Sequence, residues 1–175
     1  MYTLLLLLIY LAFISLGLPD SLLGSAWPVM HEAFQVPLSY AGLVTMIISG
    51  GTICSSLLSE RLTKKLGTQI VTVCSVLLTA VALFGFSTAS AFWMLCIWAI
   101  PYGLGAGAID AALNNYVALH YNSRHMSWLH CFWGIGTIIG PMILSAVLRI
   151  GGSWATGYRA VGLIQCAVSA LLFAT

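Results

Sequence analysis

Apolar residues fill whole windows of this chain instead of one stripe. Tyr2–Leu18 and Ile70–Phe86 are almost unbroken, and no window shows the alternating segments of roughly ten residues that mark a membrane barrel. Where water is absent, each backbone N–H and C=O must be paired within its own segment, which selects helices. A helix needs about 20 largely apolar residues to cross a bilayer. Dividing the chain at its polar breaks predicts six such helices, over residues 2–32, 39–62, 67–87, 91–121, 126–149 and 157–175. The first and fourth are long and interrupted by Gly and Pro, which predicts tilt or kinking. The fold class is therefore all-α integral membrane.

Composition agrees with the pattern. Of 175 residues, 61% are hydrophobic and 6% charged, against roughly a quarter charged in a soluble domain. The net charge of +2 gathers on no solvated basic stripe, so nucleic acid is not an expected partner; the lipid bilayer is. Cys54, Cys74, Cys96, Cys131 and Cys166 all fall inside predicted helices without CxxC spacing, which reads as small apolar packing and not as disulfides or metal ligands. Met1 to Leu18 has no basic n-region and the apolar run continues past it, so a retained first span is expected and not a cleaved signal.

Charge placement also suggests an orientation. Arg61, Lys64, Lys65 and Arg124 fall on one side of the membrane, Arg149 and Arg159 on the other. Positive residues mark the cytoplasmic face, so the expectation is a multi-pass protein of the cytoplasmic membrane with its N-terminus inside. Trp27, Trp93 and Trp154 then sit at the outer interface, where an amphipathic ring is most comfortable.

Polar residues within the spans are the candidates for function. A carboxyl in hydrocarbon costs about 2.5–3.5 kcal/mol on insertion scales, so Asp110, near the middle of the fourth helix, needs a reason. Asn114 lies one turn on along the same face. His130 sits at similar depth in the next helix, since Asn114 precedes and His130 follows the loop near Ser123 by comparable lengths. The three form either a solute or proton site facing a cavity, or an Asn114–His130 hydrogen bond that only fixes helix packing. A buried carboxyl without a cationic partner suits a proton carrier. Asp20 follows Pro19 in the first helix and either does the same or satisfies backbone groups freed by the proline. Trp133 and Gln165 are read either as a sugar-binding face and amide or as ordinary bundle packing.

Enzyme readings fail on their spacing. His31-Glu32-Ala-Phe-Gln35 begins like HExxH but lacks the second histidine, and Gly24-Ser25-Ala26 is not a nucleophile elbow. His120, His125 and His130 are five apart, which turns each about 140° from the last on a helix. No metal and no cofactor is expected.

Two local patterns are more specific than hydropathy. Ser56-Leu-Leu-Ser-Glu60-Arg61-Leu-Thr63-Lys64-Lys65, placed between the second and third helices, resembles the G-x-L-A-D-R-x-G-R-K loop signature of the major facilitator superfamily, with Glu60 for the acid and Ser56 and Thr63 for the glycines. Gly136-Thr-Ile-Ile-Gly140-Pro141 in the fifth helix looks like that superfamily's G-x-x-x-G-P element, in which small residues let helices approach closely. Gly107 to Asn114 with Leu129 to Gly136, and Gly17-Leu-Pro-Asp20 with Trp27-Pro28, resemble the fucose-permease-type sugar transporters.

The resemblance implies the N-terminal six-helix half of a secondary carrier, built from two inverted three-helix repeats. Gly17-x-x-Asp20-x-x-Leu23 and Gly107-x-x-Asp110-x-x-Leu113 match at an offset of 90, as do Gly50 with Gly140, Ser55 with Ser145 and Gly67 with Gly157. The implied function is transport of a small polar solute, a sugar by resemblance, with proton coupling. Glu60 with Arg61, Lys64 and Lys65 would act as a charge latch biasing the inward- or outward-facing state. Such a carrier has two six-helix halves with the solute between them, so this chain supplies half a cavity. A second six-helix half or a second copy of the chain is the expected partner; the alternative is a membrane module that does not transport.

Overall fold

The computed structural model describes residues 2–174. They form α1 (Tyr2–Asp20), α2 (Leu22–Ala33), α3 (Tyr40–Leu66), α4 (Thr68–Thr88), α5 (Phe92–His120), α6 (Ser123–Arg149) and α7 (Trp154–Phe173), with no strand among the described residues. Among the described residues, six stretches are long and apolar enough to cross a membrane, the first of them Leu4–Ala33, which joins α1 to α2. Its helical ladder is interrupted for one residue at Ser21, two residues after Pro19. Proline has no N–H to give and crowds the preceding turn. Ser21 turns the break into a tie between helices, its hydroxyl donating to the Thr137 carbonyl of α6 at 2.6 Å.

The helix bounds differ from the sequence expectation at three places. The second helix continues four residues past Leu62, and Gly67 alone, at φ +84°, turns the chain into α4. Leu, Glu, Arg and Lys all favour helix, and only the left-handed glycine stops it. The fifth helix starts at Ser123 and not 126, and the sixth starts at Trp154 and not 157, with Ser153 accepting the Thr156 N–H as its cap. The last predicted residue of that helix, Thr175, lies outside the described residues.

Two close helix pairs organise the bundle: α1 lies along α6, and α3 along α5, while α4 packs on both α5 and α7. Lipid tails are as apolar as leucine, so helices associate through close packing and hydrogen bonds, not through water exclusion. In the first pair, a Cβ on Gly136 would strike the Ile14 carbonyl and one on Gly140 the Leu18 carbonyl. In the second, a Cβ on Gly51 would press on Gly103 and Leu104. Hydroxyls of α3 also donate across that seam, Ser56 to the Gly107 carbonyl and Ser59 to the Ala108 carbonyl, each at 3.2 Å.

The two seams are counterparts, as expected of an inverted repeat. Gly136 against Ile14 corresponds to Gly51 against Leu104, so the offset is 90 for α1 and α5 but 85 for α3 and α6. The Gly50–Gly140 match at 90 is therefore not a match of environment. A Cβ on Gly50 would meet open space, and Gly67 is a turn residue while Gly157 lies inside α7. The connection between the paired elements is five residues shorter in the second unit, which shifts the register.

A candidate functional site between two aspartates

Asp20 ends α1 just before the break at Ser21, where its carboxylate reaches two other helices. Oδ1 accepts the Tyr102 hydroxyl of α5 at 2.8 Å, and Oδ2 accepts the Trp133 indole N–H of α6 at 2.8 Å. Both donors are neutral groups, so no cationic side chain bonds this carboxyl. Asp110 lies in the middle of α5. Asn114, one turn on, donates its Nδ2 to Asp110 Oδ1 and to the Asp110 carbonyl, both at 2.9 Å.

The two aspartates share one cavity wall. A cavity of about 310 Å³ is lined by Asp20, Thr52, Asp110, His130 and Trp133 among others. It adjoins a larger one of about 620 Å³ beneath the α1–α2 break, and Asp20, Ile48 and Trp133 line both. These volumes fall within the range of about 300–1,000 Å³ usual for small-molecule sites. The larger compartment adds aromatic surface from Phe86, Tyr102 and Tyr158 and hydroxyls from Ser21, Ser25 and Thr45.

Four of the six residues singled out in the spans, Asp20, Asp110, His130 and Trp133, thus line the cleft, and Asn114 supports Asp110 from the next turn. Asn114 does not bridge to His130, however: its amide is engaged by Asp110 on its own helix, and the His130 ring instead meets Phe13 edge-on at 6.1 Å. Gln165 is outside the cleft. It is fully buried, donates to the Ser15 carbonyl of α1 at 2.6 Å and accepts the Thr79 hydroxyl of α4 at 2.7 Å. The polar face of α7 turns into the bundle, where its amide pins three helices together.

A model of the Major Facilitator Superfamily matches residues 9–175. The chain belongs to this superfamily. It is 21% identical over 154 residues to the glucose/mannose transporter GlcP of Bacillus subtilis (strain 168), an overlap of 87% of this chain and 38% of that protein. The chain therefore spans well under half the length of the curated relative it matches. As a superfamily member it is a multi-pass membrane protein of a transporter family, and its six spans form half of the superfamily fold.

The superfamily-like segment at Ser56–Lys65 is not a joining loop. It forms the last turns of α3, where Lys64 Nζ meets Glu60 Oε1 at 2.6 Å one turn apart, and Arg61 and Lys65 stand exposed. Glutamate four residues before lysine is the favourable order on a helix. Gly136 and Gly140 form the α1–α6 seam, and Pro141 follows them within α6, which continues to Arg149. Sequence reasoning passed over Tyr102, Ser21, Thr52 and Tyr158. The available signal for Tyr102 was its place between Pro101 and the run Gly103-x-Gly105-x-Gly107, an aromatic side chain in a stretch otherwise kept small.

Proposed function

We propose that this chain is the N-terminal half of a proton-coupled secondary carrier for a small polar solute, a sugar, in the cytoplasmic membrane with its N-terminus inside. The observation that carries the reading is the Asp20 carboxylate, bonded by Tyr102 and Trp133 on the wall of a cleft rich in hydroxyls and aromatic rings. Carboxylates accept sugar hydroxyls, and flat rings cover the C–H face of a pyranose. Similarity to a glucose/mannose transporter supports the same solute class.

Within this reading, Asp20 and Trp133 hold solute while Asp110, with His130 across the smaller compartment, takes up and releases the proton. A second six-helix unit closes the cleft from the open side, so that alternate tilting of the two units exposes the solute to each face in turn. Exposed apolar side chains of α3 and α6, among them Met46, Leu57, Ile138 and Met142, provide surface for that unit. The cations of α3, near Glu60, mark the cytoplasmic face.

The test is uptake of radiolabelled hexose by the assembled carrier in proteoliposomes with an imposed proton gradient. Saturable, gradient-dependent accumulation is expected, and its absence for hexoses overturns the sugar reading. Asp110→Asn should abolish accumulation while counterflow exchange continues; accumulation at the wild-type level removes the proton role.

A further inference from the structure

The charges of this chain are unevenly placed around the cleft. No Lys or Arg lines either compartment: Arg61, Lys64 and Lys65 stand at the end of α3, Arg124 at the start of α6, Arg159 in α7, and Arg149 ends α6, where it lines a neighbouring cavity that also takes in Ser25. Both intramembrane aspartates line it. Among the described residues the one salt bridge is Lys64–Glu60, at the end of α3. The Asp20 carboxyl is met by two neutral donors, Tyr102 and Trp133, and lies on the exposed side of the cleft wall.

A second feature of the same compartment also points to a ligand. Tyr158 is 2% exposed and lines the larger cavity, yet its hydroxyl has no hydrogen-bond partner among the described residues. Buried polar groups are nearly always paired, so a polar occupant of that compartment is the natural complement. The wall thus offers a carboxyl group, an indole N–H bonded to it, hydroxyl partners and an orphan phenol.

We propose that the cleft is selective for an amine-bearing polyhydroxylated solute such as an amino sugar, whose ammonium sits on the Asp20 carboxylate. The inference rests on the carrier reading above and names its solute class. A carboxylate with a further lone pair on each oxygen accepts N⁺–H donors in short, charge-assisted bonds. Hydroxyls of Ser21, Ser25 and Thr45 then meet the ring hydroxyls of the solute. Phosphorylated and acidic sugars bring a second anionic group toward Asp20 and find no Lys or Arg on the wall of either compartment, so they are disfavoured.

Binding to the purified assembled carrier, measured by calorimetry with glucosamine, glucose, N-acetylglucosamine and glucose 6-phosphate at mildly acidic pH, separates the possibilities. Glucosamine should bind at least about tenfold more tightly than glucose or N-acetylglucosamine, and glucose 6-phosphate should not bind. Asp20→Asn should bring the glucosamine-to-glucose ratio to within about twofold, whereas Asp20→Glu, which keeps the charge, should retain the preference. Equal affinity for glucosamine and glucose in the wild type overturns this inference and leaves the sugar carrier standing. So does a preference that survives Asp20→Asn. Failure of all four ligands to bind overturns both.

Discussion

The Trp133 indole N–H donates to Asp20 Oδ2 at 2.8 Å, joining two residues 113 positions apart in the chain and fixing the carboxylate from the α6 side. Tyr102 holds the other oxygen from α5. The carboxyl is thereby held in one orientation from two sides, and a preorganised acceptor loses less ordering entropy if it binds a ligand.

Trp133→Phe keeps an aromatic ring at the wall but removes the donor. A hydrogen bond to a charged group is worth about 1.5–3 kcal/mol, and the partly exposed position of Trp133 puts the effect at the low end. Thermal unfolding in detergent should show a loss of about 1.5 kcal/mol. Solute affinity should fall by about tenfold, because Asp20 gains freedom to rotate. Affinity equal to wild type would show that Tyr102 alone positions the carboxylate.

The α1–α6 seam yields a pair of opposite signs from two glycines two residues apart. A Cβ on Gly134 would meet nothing within 4 Å, so Gly134→Ala should be neutral or stabilise by about 0.5–1 kcal/mol through lost backbone freedom. A Cβ on Gly136 would strike backbone at Ile14 and Gly17, which cannot rotate away. Gly136→Ala should therefore destabilise by about 1–3 kcal/mol, the usual range for overpacking. Unfolding temperatures of the two variants, measured side by side, check this; equal values would mean the helices part without penalty.

Much of this was readable in the chain, and the unread part has a common cause. Hydropathy alone marks the spans, because length and apolar content are properties of one segment. Asp110 and Asp20 stand out because a carboxyl in hydrocarbon is expensive wherever it points. Rotation of a helix about its axis is a different matter. Gln165 and Trp133 are both polar-tipped residues in apolar helices, yet α7 turns Gln165 into the bundle and α6 turns Trp133 to the cleft. That choice is made by seams such as Gly136 on Ile14, which involve residues more than a hundred positions apart. Tyr102 was overlooked for the same reason: its partner Asp20 is 82 residues away. The end of α3 was misjudged locally, since a charged run that reads as a loop by hydropathy is also a good helix by propensity.

Glu60 and Lys64 form an exposed ion pair within the last turns of α3. Pairs of this kind contribute little to stability because both groups remain hydrated and flexible. Glu60→Gln should leave the unfolding temperature unchanged. If the segment acts as a latch between conformations, the same variant should alter the ratio of inside to outside labelling of single cysteines placed along the cleft. Labelling identical to wild type would reduce the segment to a marker of membrane orientation.

Gln165 provides the sharpest separation of packing from binding. Its amide donates to the Ser15 carbonyl and accepts the Thr79 hydroxyl, so Gln165→Leu removes two interhelical hydrogen bonds at once while nearly conserving volume. Interhelical hydrogen bonds in membranes average about 0.6 kcal/mol and reach about 1.7. Thr79 keeps a second acceptor, the Val76 carbonyl at 2.8 Å, so its hydroxyl is not stranded. Ser15 loses more, for its carbonyl gives up the amide and its own hydroxyl already has no partner among the described residues. The sum predicts a loss of about 1–2 kcal/mol in thermal or denaturant unfolding. Solute affinity should not change, because Gln165 touches neither compartment of the cleft. An affinity loss exceeding about threefold in a variant that still folds would mean that α7 moves with the site. Unchanged stability would mean instead that the three helices are held by shape alone, and that the buried amide is tolerated, not used.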